Sequence, residues 1–155
     1  VTRIKNIEIW SSNKEGRMIQ HFVVMGEVRG QGRPRACKRG KFAGVYKANI
    51  DRQYEDNIRS QIVQQNPVFI PAKIPIRLSL LFYMVRPQGH FDSKGGLKLW
   101  ALGLRPTTRP DLDNMEKAVK DACNSIVWHD DCQVVSCHKA KIYGNVGKIE
   151  IEVDG

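Results

Sequence analysis

The sequence has no stretch long and apolar enough to cross a bilayer. Its longest apolar run, Leu78 to Val85, is broken by Ser79 and falls far short of the roughly 20 residues a spanning helix needs. No signal-type hydrophobic segment opens the chain, so the expectation is a soluble, cytoplasmic protein without a membrane partner. Cysteine is scarce. Cys37, Cys123, Cys132 and Cys137 are too few and too scattered for the disulfide framework of a small secreted domain, and reduced, buried thiols are expected instead. No Cys-x2–4-Cys pair is present, so the neighbourhood of Cys132, Cys137 and His138, with Cys123 and His129 nearby, matches no common zinc site. Acid is the minority charge: 16 Asp and Glu stand against 25 Lys and Arg, a net charge of +9. That balance favours an anionic partner such as nucleic acid.

At 155 residues the chain is the size of one domain that can bury a core without covalent staples. Ile4–Trp10 and His21–Val28 read as two strands of a hairpin around the polar stretch Ser11–Gly16. Arg29–Lys41 carries six basic residues, no acid and enough Gly and Pro to predict an exposed basic loop. Tyr54, Ile58 and Ile62 recur at helical spacing and predict a helix over Asp51–Gln65, ended before Pro67. Ile74–Val85 alternates strictly, and Leu81, Tyr83 and Val85 between the inward positions predict a central strand whose second half is covered on both faces. Arg86–Arg109 is irregular, a length of loop that is usually functional or disordered. A helix over about 113–126 and strands over Gln133–Tyr143 and Lys148–Val153 complete the pattern. The expected fold is α+β, a single mixed sheet with two main helices packed on one face, in one domain spanning 1–155.

Charge is unevenly placed. Between Asp111 and Asp131 six carboxylates face only Lys117 and Lys120, a local charge of −4 inside a chain of +9. Asp111 and Asp113 follow Pro110, which favours extended backbone, and side chains two apart on an extended segment point the same way. Met115, Ala118, Val119, Ala122, Cys123 and Ile126 then form an apolar helix face, while Asp113, Lys117 and Asp121 align on another. One reading makes Asp113 a helix cap with Glu116 three residues on. It leaves Asp111, Asp130 and Asp131 unexplained. The other reading gathers carboxylates around a cation, since close like charges otherwise raise one another's pKa. Mg²⁺ suits oxygen-only ligands and accepts phosphates as further ligands, and such a site can activate water for attack on a phosphodiester. Local geometry does not bring Asp131 to Asp111, and both readings stay open on pattern alone.

The segment Arg109–Val135, RPDLDNMEKAVKDACNSIVWHDDCQVV, resembles the signature of the RusA family of Holliday junction resolvases: Pro-Asp-[Ile/Leu]-Asp-Asn-x-x-Lys, then Trp or Tyr, Asp-Asp and a Gln-Val-Val strand. The basic GQGRPRA stretch, Gly30–Ala36, and RPQGHF, Arg86–Phe91, are similar to phage-type members. The resemblance implies metal ligation by Asp111, Asp113 and Asp131, a catalytic Lys117, and supporting roles for Asp130 and Asn114. It also implies Mg²⁺ or Mn²⁺ as cofactor, a four-way DNA junction as substrate and a homodimer that makes paired nicks. Residues 1–20 match nothing in that signature and read as an added hairpin or a dimerisation element; Asp92–Leu104 has no clear counterpart either.

Arg33, Arg35, Lys38, Arg39 and Lys41 are the expected phosphate contacts, with an affinity that falls steeply with salt. Arg109 either steers a phosphate or neutralises Asp111. Trp128 and Phe91 are candidates for stacking on unpaired bases, although a Trp that closes a helix onto a strand is more often core. His90 and His129 are candidate proton carriers, a role that lone histidines seldom have. The alternatives to a junction resolvase are a DNA-binding module without catalysis, and a nuclease with the same site that prefers forks or flaps.

Overall fold

The computed structural model describes residues 11–12, 17–32, 35–39, 42–46 and 49–155, with 11–12, 35–39 and 42–46 described as backbone. The expected strand Ile4–Trp10 lies outside the described residues, as do Arg33, Lys41 and the side chains of Arg35, Cys37, Lys38 and Arg39.

Five strands form one mixed sheet in the order β1 (Ser11–Ser12), β2 (Met18–Met25), β7 (Lys148–Asp154), β5 (Ile76–Val85) and β6 (Val134–Gly144). Neighbours are antiparallel except β5 and β6, which run parallel. Two helices, α1 (Asn49–Val63) and α2 (Leu112–Cys123), pack on one face. The fold is thus the α+β arrangement expected from the sequence.

Alternation explains the core. Phe22 and Val24 of β2, Leu78, Leu80 and Phe82 of β5, and Ile149, Ile151 and Val153 of β7 all point to the helix side and are buried there. Ile58 and Ile62 of α1 and Met115, Ala118, Val119, Ala122 and Cys123 of α2 meet them. Trp128 is fully buried and donates its indole N–H to Asn124 Oδ1 at 2.8 Å, so it closes α2 onto the sheet and presents no face to a base.

Several expectations are corrected. Arg35–Arg39 is not loop: it is β3, paired antiparallel with β4 (Phe42–Tyr46) in a separate two-stranded ribbon. The Gly and Pro residues lie outside Arg35–Arg39, so they do not interrupt the pairing. Ser11–Ser12, assigned to a turn, pairs with β2, and β2 ends at Met25 before Gly26, whose φ is +126°. Leu81 and Tyr83 are only half-buried and Val85 is 58% exposed, so no second layer covers the far face of β5 among the described residues. Cys123 is buried as expected and its thiol is pushed up by burial, whereas Cys132 is exposed.

Candidate active site

Helix α2 is capped two residues earlier than its acidic pattern suggests. Asp111, in extended backbone, occupies the N-cap position, and its side chain makes no cap hydrogen bond. Asp113 sits in the first turn instead of capping it. The capping role assigned to Asp113 and Glu116 is therefore overturned, and both carboxylates are free for other partners. The positive end of the helix dipole favours Asp111 and Asp113 where they are.

Those partners come from β6. Lys139 Nζ lies 2.5 Å from Asp113 Oδ1 and also donates to Glu116 Oε2. Glu116 receives a second ammonium, Lys120, at 2.5 Å. The hydrogen bonds to Asp113 and Glu116 push Lys139 up to about 12. Burial would raise the Glu116 carboxyl, but hydrogen bonds from Lys120 and Lys139 outweigh it and hold the group below its ordinary value. Lys141, two residues further along the same face of β6, donates to the carbonyl oxygens of Thr108 and Pro110 at 2.7 and 3.1 Å. It thereby fixes the backbone that leads into Asp111. Lys117 lies one turn beyond Asp113 with its ammonium 3.4 Å from Asp121 Oδ2.

Neither Lys139 nor Lys141 was singled out by sequence reasoning. A signal exists: Cys137, Lys139, Lys141 and Tyr143 alternate along a strand toward the helix side, where two lysines in a row call for anionic or carbonyl partners.

Asp111 opens onto a cleft of roughly 710 Å³ that is also lined by Glu27, Arg29, Gly32, Arg109 and Asn114. The floor is built by close approach: a Cβ on Gly30 would stand 2.9 Å from Pro110 Cβ and 3.0 Å from Asn114 Cβ. Next to it Gln31 is buried. Its backbone N–H donates to Asn114 O at 3.0 Å, and its side-chain amide donates to Glu55 Oε1 at 2.7 Å and Asp121 Oδ2 at 2.9 Å. The segment Arg29–Gly32, read from sequence as the start of an exposed loop, is in fact pinned between α1 and α2. Arg109 is exposed at the rim of the cleft.

Asp130 and Asp131 belong to a different place. Asp130 caps a short 3-10 turn, Asp131–Gln133, by accepting from Cys132 N at 2.9 Å. Its carboxyl is lowered first by the Cys132 side chain and then by that backbone bond. Gln133 completes a capping box: its Oε1 accepts from His129 N and Asp130 N, both at 3.0 Å, and its Nε2 donates to Pro71 O and Ile74 O. The motif's Gln therefore anchors the Asp-Asp turn beside the start of β5. Asp111 stands at the start of α2, whose 12 residues span about 18 Å, and Asp131 follows only after the helix has ended. Asp111 lines the cleft with Asn114, Asp113 is engaged by Lys139 of β6, and Asp131 lies in the 3-10 turn that leads into β6. Among the described residues no cluster of three or more His, Cys, Asp or Glu side chains is placed to hold a metal.

Two adjacent carboxylates and an all-oxygen donor set at a helix start still fit a Mg²⁺-like ion, which commonly takes one or two carboxylates and completes its shell with water and phosphate. The uncommitted Asp111 carboxylate and the second oxygen of Asp113 are the donors available for it.

The α+β fold thus sets carboxylates at the start of α2 beside a cleft that Arg29 and Arg109 line. Residues 25–154 match the family described as Endodeoxyribonuclease RusA, and the chain belongs to that family. An uncharacterized protein YqaN of Bacillus subtilis (strain 168) is 33% identical over 136 residues, which cover 85% of this chain and 93% of that protein. The crossover junction endodeoxyribonuclease rusA of Lactococcus phage r1t is 28% identical over 107 residues, covering 66% of this chain and 74% of the phage protein.

Proposed function

We propose that this chain is a Mg²⁺- or Mn²⁺-dependent endodeoxyribonuclease that resolves four-way DNA junctions by paired nicks. The observation that carries the reading is the unspent Asp111 carboxylate beside Asp113, facing a cleft with Arg29 and Arg109, in a member of an endodeoxyribonuclease family. A relative's name, crossover junction endodeoxyribonuclease, supplies the branched substrate.

On this reading Asp111 and Asp113 hold the cation. When bound, the ion supplies positive charge for the scissile phosphate and an acidified water. Arg109 and Arg29 orient the phosphate in the cleft, Asn114 supports the floor, and Lys117 leaves Asp121 to offset charge on the departing oxygen. Lys141 holds the backbone before Asp111, so the carboxylate need not be ordered at the moment of reaction.

The separation of Asp131 from Asp111 favours a homodimer in which each copy lends its Asp131 to the other copy's Asp111 and Asp113. A twofold dimer then has two equivalent sites and makes the two symmetric nicks that resolution requires.

Labelled four-way junction, fork and linear duplex incubated with Mg²⁺ test the activity. Symmetric junction nicks, lost in Asp113→Asn with binding retained, support the reading; binding without cleavage in any divalent metal returns the chain to a non-catalytic DNA-binding module, and faster fork or flap cutting changes the substrate. Mixing Asp113→Asn with Asp131→Asn tests the shared site. Exchange between the two inactive dimers restores one intact site if Asp131 acts across the dimer, and none if each chain is self-sufficient.

A further inference from the structure

The segment between β5 and α2 looked irregular in sequence, yet it is an ordered platform. Arg86 Nη1 donates to Ala101 O at 2.9 Å and its guanidinium stacks 4.9 Å from the Tyr143 ring. His90 packs edge-on against both Tyr143, at 5.3 Å, and Trp100, at 5.2 Å. Lys98 donates to Gly89 O at 3.0 Å and lies 5.9 Å from the Trp100 ring. Asp92 is used up within the turn, its Oδ1 accepting from Lys94 N and Gly96 N. Ala101 is fully buried and anchors the short Leu99–Ala101 turn from below.

On this anchored turn the large apolar side chains face out. Leu99 is 85% exposed and Trp100 59% exposed, with Leu102 and Leu104 beside them. A monomer does not ordinarily hold a Trp ring rigidly in water; such an arrangement marks a contact. The occupant follows from the charges around it. Residues 86–109 contain Arg86, Lys94, Lys98, Arg105 and Arg109 against the single acid Asp92, which the turn already engages. An aromatic face amid uncompensated cations suits a nucleobase joined to a phosphate chain.

Position agrees. Tyr143, under His90, shares a strand face with Lys141 and Lys139, which hold Pro110 and Asp113. Four strand residues separate Tyr143 from Lys139, about 13 Å, or roughly four nucleotide steps along one strand of duplex.

We propose that Trp100, backed by His90, is a base-stacking platform that takes an unpaired base at the branch point of a DNA junction a few nucleotides from the Asp111–Asp113 site. The inference deepens the nuclease reading and rests on it for the substrate. It replaces Phe91 and Trp128 as stacking candidates: the first is only partly exposed and the second is buried.

The test uses the full chain and a four-way junction with 2-aminopurine at the branch, beside linear duplex of the same arms. Trp100→Ala is expected to lose about tenfold in junction affinity, near 1.4 kcal/mol, with duplex affinity within roughly twofold and the branch-point fluorescence change abolished. Trp100→Phe should recover most of both. An unchanged fluorescence response and affinity in Trp100→Ala, with wild-type protein still nicking junctions, overturns the platform and leaves the nuclease reading intact. Equal losses on duplex and junction, or a changed sedimentation mass, also overturn it, the latter by assigning the patch to a protein contact. Selective loss of junction binding in a protein that nicks nothing supports the platform while the nuclease reading fails.

Discussion

Lys139 and Asp113 form an ion pair across the α2–β6 contact at 2.5 Å, and the two ends of that pair live in different surroundings. The Asp113 side chain is 89% exposed, whereas Glu116, which shares the same ammonium, is 14% exposed. Water screens the first interaction and leaves the second strong. Lys139 is therefore anchored on Glu116 and only borrowed by Asp113, so an arriving cation can take Asp113 without freeing the lysine. Lys139→Met removes the competitor. Its expected effect is a several-fold tighter Mn²⁺ affinity without DNA, read by electron paramagnetic resonance titration, together with a stability loss of about 1–2 kcal/mol. Weaker Mn²⁺ binding in a folded variant would mean that Lys139 helps to shape the metal site and does not compete with it.

Glu116 sets an acid limit on the fold. Its folded-state carboxyl is held below the ordinary value of 4.5 by Lys120 and Lys139 against the opposing effect of burial. A depressed carboxyl contributes stability that is complete above pH 4.5 and is lost as pH falls through the lower folded value. Glu116→Gln should cost about 1–2 kcal/mol at pH 7, and the gap to wild type should narrow as pH falls from 4.5 through the lower folded value. Urea denaturation at pH 7 and pH 3.5 measures both. A gap that stays constant with pH would assign the loss to packing.

Local periodicity made the core legible. The alternation of β5 and the spacing of Met115, Ala118, Val119, Ala122 and Cys123 place themselves, because burial of one face is a property of each element alone. The cap of α2 lies two residues before Asp113, since Asp111 and Asp113 are equally good caps on paper and Asp113 is engaged by Lys139, an element away. Lys139 itself could not be paired from sequence, because its partners lie on a helix whose crossing over β6 is a tertiary fact. The ribbon β3–β4 was missed because composition was read over the whole segment Arg29–Lys41, while the pairing residues 35–39 contain neither Gly nor Pro. The family resemblance named Asp111, Asp113 and Asp131 as one site, and only the first two share an end of α2.

Gly30 connects the basic segment to the acidic one at closest range. A methyl group there would meet Pro110 Cβ at 2.9 Å and Asn114 Cβ at 3.0 Å, and neither can swing aside because both Cβ atoms are fixed to backbone. Gly30→Ala must therefore move Arg29–Gly32 or the Pro110–Asn114 segment. The expected stability loss is about 1–3 kcal/mol. The activity loss should be larger, roughly 10- to 100-fold in junction nicking, since displacement reaches Asp111 directly. Thermal melting alongside cleavage at a temperature where both proteins are folded checks it. Wild-type nicking by a destabilised variant would show that the cleft floor does not set the geometry of Asp111.

Gln61 and Gln65 cover part of the β2 backbone with their side-chain amides. Among the described residues, β1 pairs with Met18 and Ile19 of β2. Further along, Gln65 accepts from Val23 N at 3.0 Å and donates to Val23 O at 2.8 Å, and Gln61 does the same for Met25 at 2.8 Å both ways. Each side-chain amide stands in for the peptide group of a neighbouring strand. Gln61→Ala with Gln65→Ala leaves four backbone groups to water, a loss of about 1–2 kcal/mol because the edge is solvated. The larger expected effect is self-association, because an unguarded edge templates another chain. Gln65→Glu is the sharper variant: it keeps the shape but sets a carboxylate against the Val23 carbonyl, so it should destabilise more than Gln65→Ala at pH 7 and recover on acidification. Light scattering through a concentration series, with urea denaturation on the same samples, separates the two effects. A double alanine variant that stays monodisperse at the concentration where wild type does would show that another feature guards β2.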